Sequence, residues 1–267
     1  MTMYLLVPAD AGPNTRLFLC PPGHNGAGKY TVAGLAKYGA VQEKIIQYQY
    51  DYGLQLARRG FAAVCPDCRG FGERREAKED TQDPVLGLKG DCYWLAHMGE
   101  PLGIPAAGML VWDLMRLIDY LELRGEWDME HLGCLGFSGG GMQTLYLAAL
   151  DERVQYAVIS GYMYGFRDAL LKLNRNCSCN YIPRLWEYLD MGDIASLIAP
   201  RPLVIQSCRQ DRLNGPRGIV NAVEQVAVIE NAYRLCHAEK LPFHDICEGG
   251  HQWHGERLDK YLEYIGK

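Results

Sequence analysis

Short apolar runs alternate with longer stretches of helical spacing along nearly all of the 267-residue chain. Residues 16–20, 61–65, 131–137, 154–159, 202–207 and 243–247 are short, apolar and in part β-branched, as strands buried on both faces of a sheet must be. Between them, Met109, Leu110, Trp112, Leu114, Met115, Leu117, Ile118 and Leu121 recur at intervals of three and four, which predicts a helix over 104–123. A second helix is predicted over 219–235. Strand-then-helix repetition specifies an α/β fold whose mainly parallel sheet is covered on both faces. Residues 3–7, followed by Pro8, Ala9, Asp10 and Gly12, predict an antiparallel strand and turn opening that sheet.

At 48% hydrophobic and 22% charged, the chain has the apolar content to fill such a core, and its length suits one α/β domain over 1–267. Two segments break the alternation. Residues 73–103 are polar and punctuated by Gly and Pro, and 161–200 are rich in Tyr, Trp and Asn. Long insertions after strands shape the cleft in folds that bind ligands at strand C-terminal ends.

Lys and Arg number 27 against 32 Asp and Glu, so no cationic surplus exists to neutralise a phosphate backbone, and nucleic acid is not an expected partner. No window approaches the roughly 20 apolar residues of a membrane span, and the start lacks a signal-peptide pattern. The expectation is a soluble, cytoplasmic chain without a membrane partner. The ten cysteines are dispersed, and Cys20, Cys65, Cys134 and Cys208 sit inside apolar runs, so reduced, buried thiols are expected. Cys177 and Cys179 form a C-x-C without a matching C-x-x-C, and no metal site is expected from it.

The strongest chemical signal is Gly136, Phe137, Ser138, Gly139 and Gly140, a G-x-S-x-G between an apolar run and a helical pattern. A serine on so sharp a turn leaves no room for side chains two positions away on either side. The turn also sets Ser138 at a helix N-terminus, where N–H groups and the dipole favour developing negative charge.

A serine hydroxyl needs an imidazole to take its proton and a carboxylate to orient that imidazole. On this topology the acid follows the serine and the histidine comes last. Asp211 lies 73 positions after Ser138, just past an apolar run, and His251 lies 40 further on, after Gly249 and Gly250. His254 is the rival base, closer to the final helix and read as capping or lining it. His131 and His237 read as surface or structural residues, and Asp190 and Asp193 as polar residues of the insertion or a helix cap.

An oxyanion hole requires two N–H donors. Gly139 offers one. The other is expected from the turn Pro21, Pro22, Gly23, His24, Asn25, Gly26, with the backbone of His24 first and Asn25 next; the His24 imidazole is also a candidate for lining the cleft. Residues 23–29 of the same turn spell G-x-x-x-x-G-K, a near match to a phosphate-cradling loop, but Tyr30 stands where Ser or Thr would bind magnesium.

GFSGG, the Pro-Gly-His-Asn-Gly loop, the turn from Asp67 to Gly72, Asp211 after PRPLVIQ, and the late GGH together resemble the α/β-hydrolase superfamily over about residues 16–265. Within it the chain is most similar to the dienelactone hydrolase and acetyl xylan esterase-like branch. Ser138 stands where dienelactone hydrolases carry Cys, and Phe71 where cephalosporin deacetylases and acetyl xylan esterases carry Gln. The resemblance implies an eight-stranded, mostly parallel sheet and acyl transfer without a cofactor. The expected activity is serine ester hydrolysis by Ser138, His251 and Asp211, removing a small acyl group such as acetyl from a small-molecule or carbohydrate ester; a peptidase or thioesterase with the same three residues and a non-catalytic binding protein on the same fold are the alternatives, and homo-oligomerisation is left open. Arg69 is expected to anchor its own turn.

Overall fold

The computed structural model describes residues 1–37, 39–75, 88–174 and 176–266. Most of the stretch ERREAKEDTQDP, which marks the first predicted insertion, therefore lies outside the described residues. Strands β1 (Met3–Leu6), β2 (Arg16–Leu19), β3 (Ala62–Pro66), β4 (Asp128–Phe137), β5 (Tyr156–Ser160), β6 (Leu203–Cys208) and β7 (Phe243–Cys247) form one sheet in the order β1-β3-β2-β4-β5-β6-β7. Only β1 is antiparallel, pairing Leu5 with Val64 of β3. The eight strands implied by resemblance are thus seven among the described residues. Among the described residues, β1 has β3 on one side and no further strand on the other.

The apolar runs are continuous because their residues serve opposite faces in turn. Leu17 and Leu19 of β2, Ala157 and Ile159 of β5, and Leu203 and Ile205 of β6 enter one core. Phe18, Val158 and Val204, between them, enter the other. The larger core is covered by α4 (Cys92–Gly99), α5 (Ala106–Arg124), α6 (Gly139–Leu150), α7 (Met191–Ser196) and α8 (Ile219–Leu235). The smaller lies under α1 (Lys29–Val32), α3 (Tyr52–Ala57) and α9 (Leu258–Tyr264), with α2 (Gly39–Tyr48) at its margin.

The predicted helix over 104–123 is α5, entered after Pro105 and ended by Gly125, whose φ of 64° supplies the left-handed turn that stops it. Its buried Leu110, Leu114, Leu117, Ile118 and Leu121 lie at helical spacing, each contributing about 1.5–3 kcal/mol by leaving water. The helix predicted over 219–235 is α8, with the same ends. Among the described residues no single helix is long and apolar enough to cross a membrane.

Candidate active site

Ser138 joins β4 to α6 with φ 57° and ψ −121°, a strained conformation for a residue with a side chain. Space explains the flanking glycines. A Cβ on Gly136 would stand 2.1 Å from the Gly140 carbonyl oxygen, and one on Gly140 would stand 2.3 Å from that of Pro21. The Ser138 N–H donates to Ser160 O on β5 at 2.9 Å, fixing the turn to the sheet. Gly139, at the first helical position, has an N–H with no intrahelical acceptor.

Asp211 and His251 extend the ends of the adjacent strands β6 and β7. The Asp211 carboxylate is buried and accepts from the Leu213 N–H at 2.8 Å, and its other oxygen lies 2.6 Å from His251 Nδ1. The two loops are stitched together: Arg209 N–H donates to Cys247 O, Gln210 N–H to Gly249 O, and Gly249 N–H to the Gln210 side chain. His251 packs its ring on Phe137 at 4.6 Å, and its buried Nε2 has no hydrogen-bond partner among the described residues. Ser138, Asp211 and His251 all line one cavity of about 640 Å³.

The rival residues stand elsewhere. His254 uses Nδ1 on Glu256 at 2.8 Å and Nε2 beside the Gln252 amide at 3.3 Å. His131 Nδ1 is 2.7 Å from Asp128 Oδ2, at the N-terminal half of β4 and away from the strand ends that carry Ser138 and Asp211. Asp190 caps α7 in a capping box with Asp193. Arg69 reaches Asp113 at 3.0 Å, in keeping with an anchoring role.

The loop carrying His24 is clamped by side chains that spacing alone did not single out. Tyr50 Oη donates to His24 O at 2.8 Å, Tyr52 Oη to Pro21 O at 2.5 Å and Gln143 Nε2 to Pro22 O at 2.9 Å. Gly23 is packed so closely that a Cβ there would stand 3.3 Å from Gly139 N, so the turn and the start of α6 are in contact. The phosphate-loop resemblance dissolves in the same place. Lys29 is buried and spends its ammonium on Asp67 at 2.5 Å and Glu73 at 3.1 Å. Burial pushes the Lys29 ammonium down, but Asp67 more than compensates and its pKa is raised.

Both insertions reach the cavity: Lys89 and Gly90 come from the first, Asn176 and Cys177 from the second, and Asn25, Tyr48, Gln210 and Arg212 complete much of the wall. They also bring together side chains that lie far apart in the chain, against the expectation that Cys177 and Cys179 have no further ligand-type partners. Cys177 and Cys179 meet Cys92 and the His24 imidazole, with the four donor atoms all within 4.8 Å of one another. Burial would lower the His24 imidazole, yet Cys177 and Cys92 raise it to about 10. Hydrogen bonds from Cys179 and Cys92 hold the Cys177 thiol well below its ordinary value. These four residues are separated by 68, 85 and 2 positions, so no spacing motif announces them.

A mostly parallel sheet, a strained serine turn after its central strand and an acid–histidine pair on the following loops define an α/β-hydrolase. The chain belongs to the Abhydrolase family, whose sequence model matches residues 1–262. It is similar to YtaP of Bacillus subtilis (strain 168), named as an inferred hydrolase, at 27% identity over 177 residues. That match takes in 66% of this chain and 55% of YtaP, so it spans about half of the relative's length. A Bacteroides fragilis NCTC 9343 protein named for an inferred acetyl xylan esterase activity superposes with a TM-score of 0.72 at 18% identity, covering 98% of this chain and 69% of that one. A glucuronoyl esterase from Solibacter usitatus gives 0.66 at 16%, covering 98% and 76%. At such identities the likeness speaks for the fold.

Proposed function

We propose that the chain is a serine carboxylic-ester hydrolase acting on a small acyl group, such as acetyl, carried by a sugar or other polyol. The observation that carries this reading is the 2.6 Å contact between Asp211 and His251 Nδ1, in one cavity with Ser138 on its strained turn. Ser138 Oγ attacks the acyl carbon and its proton passes to His251 Nε2, the ring atom with no hydrogen-bond partner among the described residues. Asp211 fixes the tautomer and stabilises the imidazolium. The N–H groups of His24 and Gly139 hold the oxyanion, while Tyr50, Tyr52 and Gln143 keep the loop in place beforehand. His251 then protonates the departing alcohol, and in the second half activates the water that releases the acid.

The polyol assignment draws on the polar wall of Asn25, Asn176, Gln210 and Arg212 and on the sugar-ester activities named for the structural relatives. Fluorophosphonate labelling and hydrolysis of p-nitrophenyl acetate, comparing wild type with Ser138→Ala, test the mechanism. The expected result is labelling and turnover in wild type and neither in the variant; an unchanged variant overturns the assignment. An acyl-chain series should favour C2 over C8 esters, and the reverse order rejects the small-acyl part. Faster turnover of thioesters or peptides would move the chain to those substrate classes with the same three residues.

A further inference from the structure

We propose that His24, Cys92, Cys177 and Cys179 form a closed, four-coordinate site for a zinc ion in the wall of the cavity. The donor set is the first reason. Three thiols and an imidazole are the ligands of structural Cys₃His zinc, and the soft sulfurs select against magnesium and calcium. Geometry is the second. Zinc–sulfur and zinc–nitrogen bonds of about 2.3 and 2.0–2.1 Å in a tetrahedron imply N···S edges of about 3.5 Å and S···S edges of about 3.8 Å. His24 Nε2 lies 3.3 Å from Cys179 Sγ and 3.4 Å from Cys92 Sγ, close to those edges, and all four donor atoms fall within 4.8 Å of one another. The sulfurs are free thiols.

Support around the donors is the third reason. Asn180 directs its Nδ2 toward Cys179 Sγ at 3.8 Å and donates to Cys177 O at 3.0 Å, while Tyr162 Oη donates to Asn180 Oδ1 at 2.5 Å. Outer partners of this kind orient the first ligands of metal centres. With Nε2 on the metal, the His24 proton resides on Nδ1. That edge of the ring faces Gly139, where a Cβ would stand 2.5 Å from both Nδ1 and Cε1.

Four protein ligands leave no open position for water, so the ion would act as a cross-link rather than a Lewis acid. It would tie Cys92 at the start of α4 and the Cys177–Cys179 turn, one from each insertion, to the loop proposed to hold the oxyanion. Binding releases three protons from the four donors, which then stand as three thiolates and a neutral imidazole, leaving a centre of net charge −1 with no change in oxidation state. The proposal is independent of the hydrolytic reading, because its test does not use activity.

The experiment is anaerobic reduction of the whole chain, followed by metal analysis and by titration with Zn²⁺ or Co²⁺ alone. Expected are one ion per chain, sulfur-to-cobalt charge transfer with the intense visible bands of a tetrahedral cobalt thiolate, and zinc protection of Cys92, Cys177 and Cys179 from alkylation. Cys177→Ser, at the cavity face, should lose stoichiometric binding. Asn180→Ala should weaken it by about 10–100-fold. Cys236→Ser, at the exposed cysteine, should bind as wild type does. The proposal fails if the folded, reduced wild-type chain takes up neither ion stoichiometrically, if cobalt binds without sulfur charge transfer, or if zinc leaves the three cysteines open to alkylation. It fails equally if the chain isolates with two of the three in a disulfide that zinc and reductant do not replace. The wild-type readouts decide the matter even if a variant does not fold.

Discussion

Ser138, Asp211 and His251 each stand within four residues of the end of a parallel strand, whereas Cys92, Cys177 and Cys179 stand on the two insertions that interrupt the alternation. The two walls therefore face one cavity with different kinds of support. The first is positioned by the sheet, through neighbouring strand registers and the paired loops after β6 and β7. The second depends on side chains of distant segments finding one another. A wall set by the sheet should tolerate loss of a side chain and fail only in chemistry, while a wall assembled from loops should lose its shape when one member is removed.

The largest effect should come from Ser138→Ala, a fall of about 10⁶-fold in kcat with the melting temperature close to wild type. A variant that melts far lower would show that the sheet-built wall is not independent of its side chains. Asp211→Asn should cost about 10⁴-fold in kcat with little change in KM, because the His251 tautomer is no longer fixed. Gly140→Ala separates helix propensity from space. Alanine would favour α6 by about 1 kcal/mol, but its Cβ would meet the Pro21 carbonyl oxygen at 2.3 Å, a backbone atom that must move. Overpacking should win, with a net loss of about 1–3 kcal/mol in denaturant unfolding and a lower kcat. On the other wall, Cys179→Ala should lower stability by about 1–3 kcal/mol while Ser138 is still labelled by a fluorophosphonate. Complete loss of labelling in a folded Cys179→Ala chain would erase the contrast between the walls. The smallest effect is expected for His254→Gln, whose ring contacts Glu256 and Gln252; a kcat within a few-fold of wild type, set against loss of activity in His251→Gln, identifies the base.

The same contrast explains what could be read from the chain alone. The strand-to-helix step at Ser138 and the order of Asp211 and His251 follow from local pattern and topology, and the run 243–247 is β7 residue for residue. β4 begins earlier than its apolar run, because Asp128, Met129 and Glu130 extend it without the apolar alternation that would mark them. The eighth strand came from resemblance, and the residues themselves supplied seven apolar runs. The thiol group was illegible for a physical reason: contact between Cys92 and Cys179 is set by how two insertions pack, and nothing in the 24–92–177–179 spacing encodes that. The tyrosine and glutamine clamps on the His24 loop were hidden likewise, since a buried Tyr50 reads as core until its hydroxyl is seen to donate to a carbonyl.

The reciprocal bonds between Gln210 and Gly249 join the loops that follow the parallel strands β6 and β7, and so tie the proposed acid and base to each other. Lengthening either loop would carry both residues off together, which makes this seam a poor place for an engineer to graft new specificity. Diversity introduced around Lys89 and Asn176 would reshape the chamber while sparing the proposed proton path.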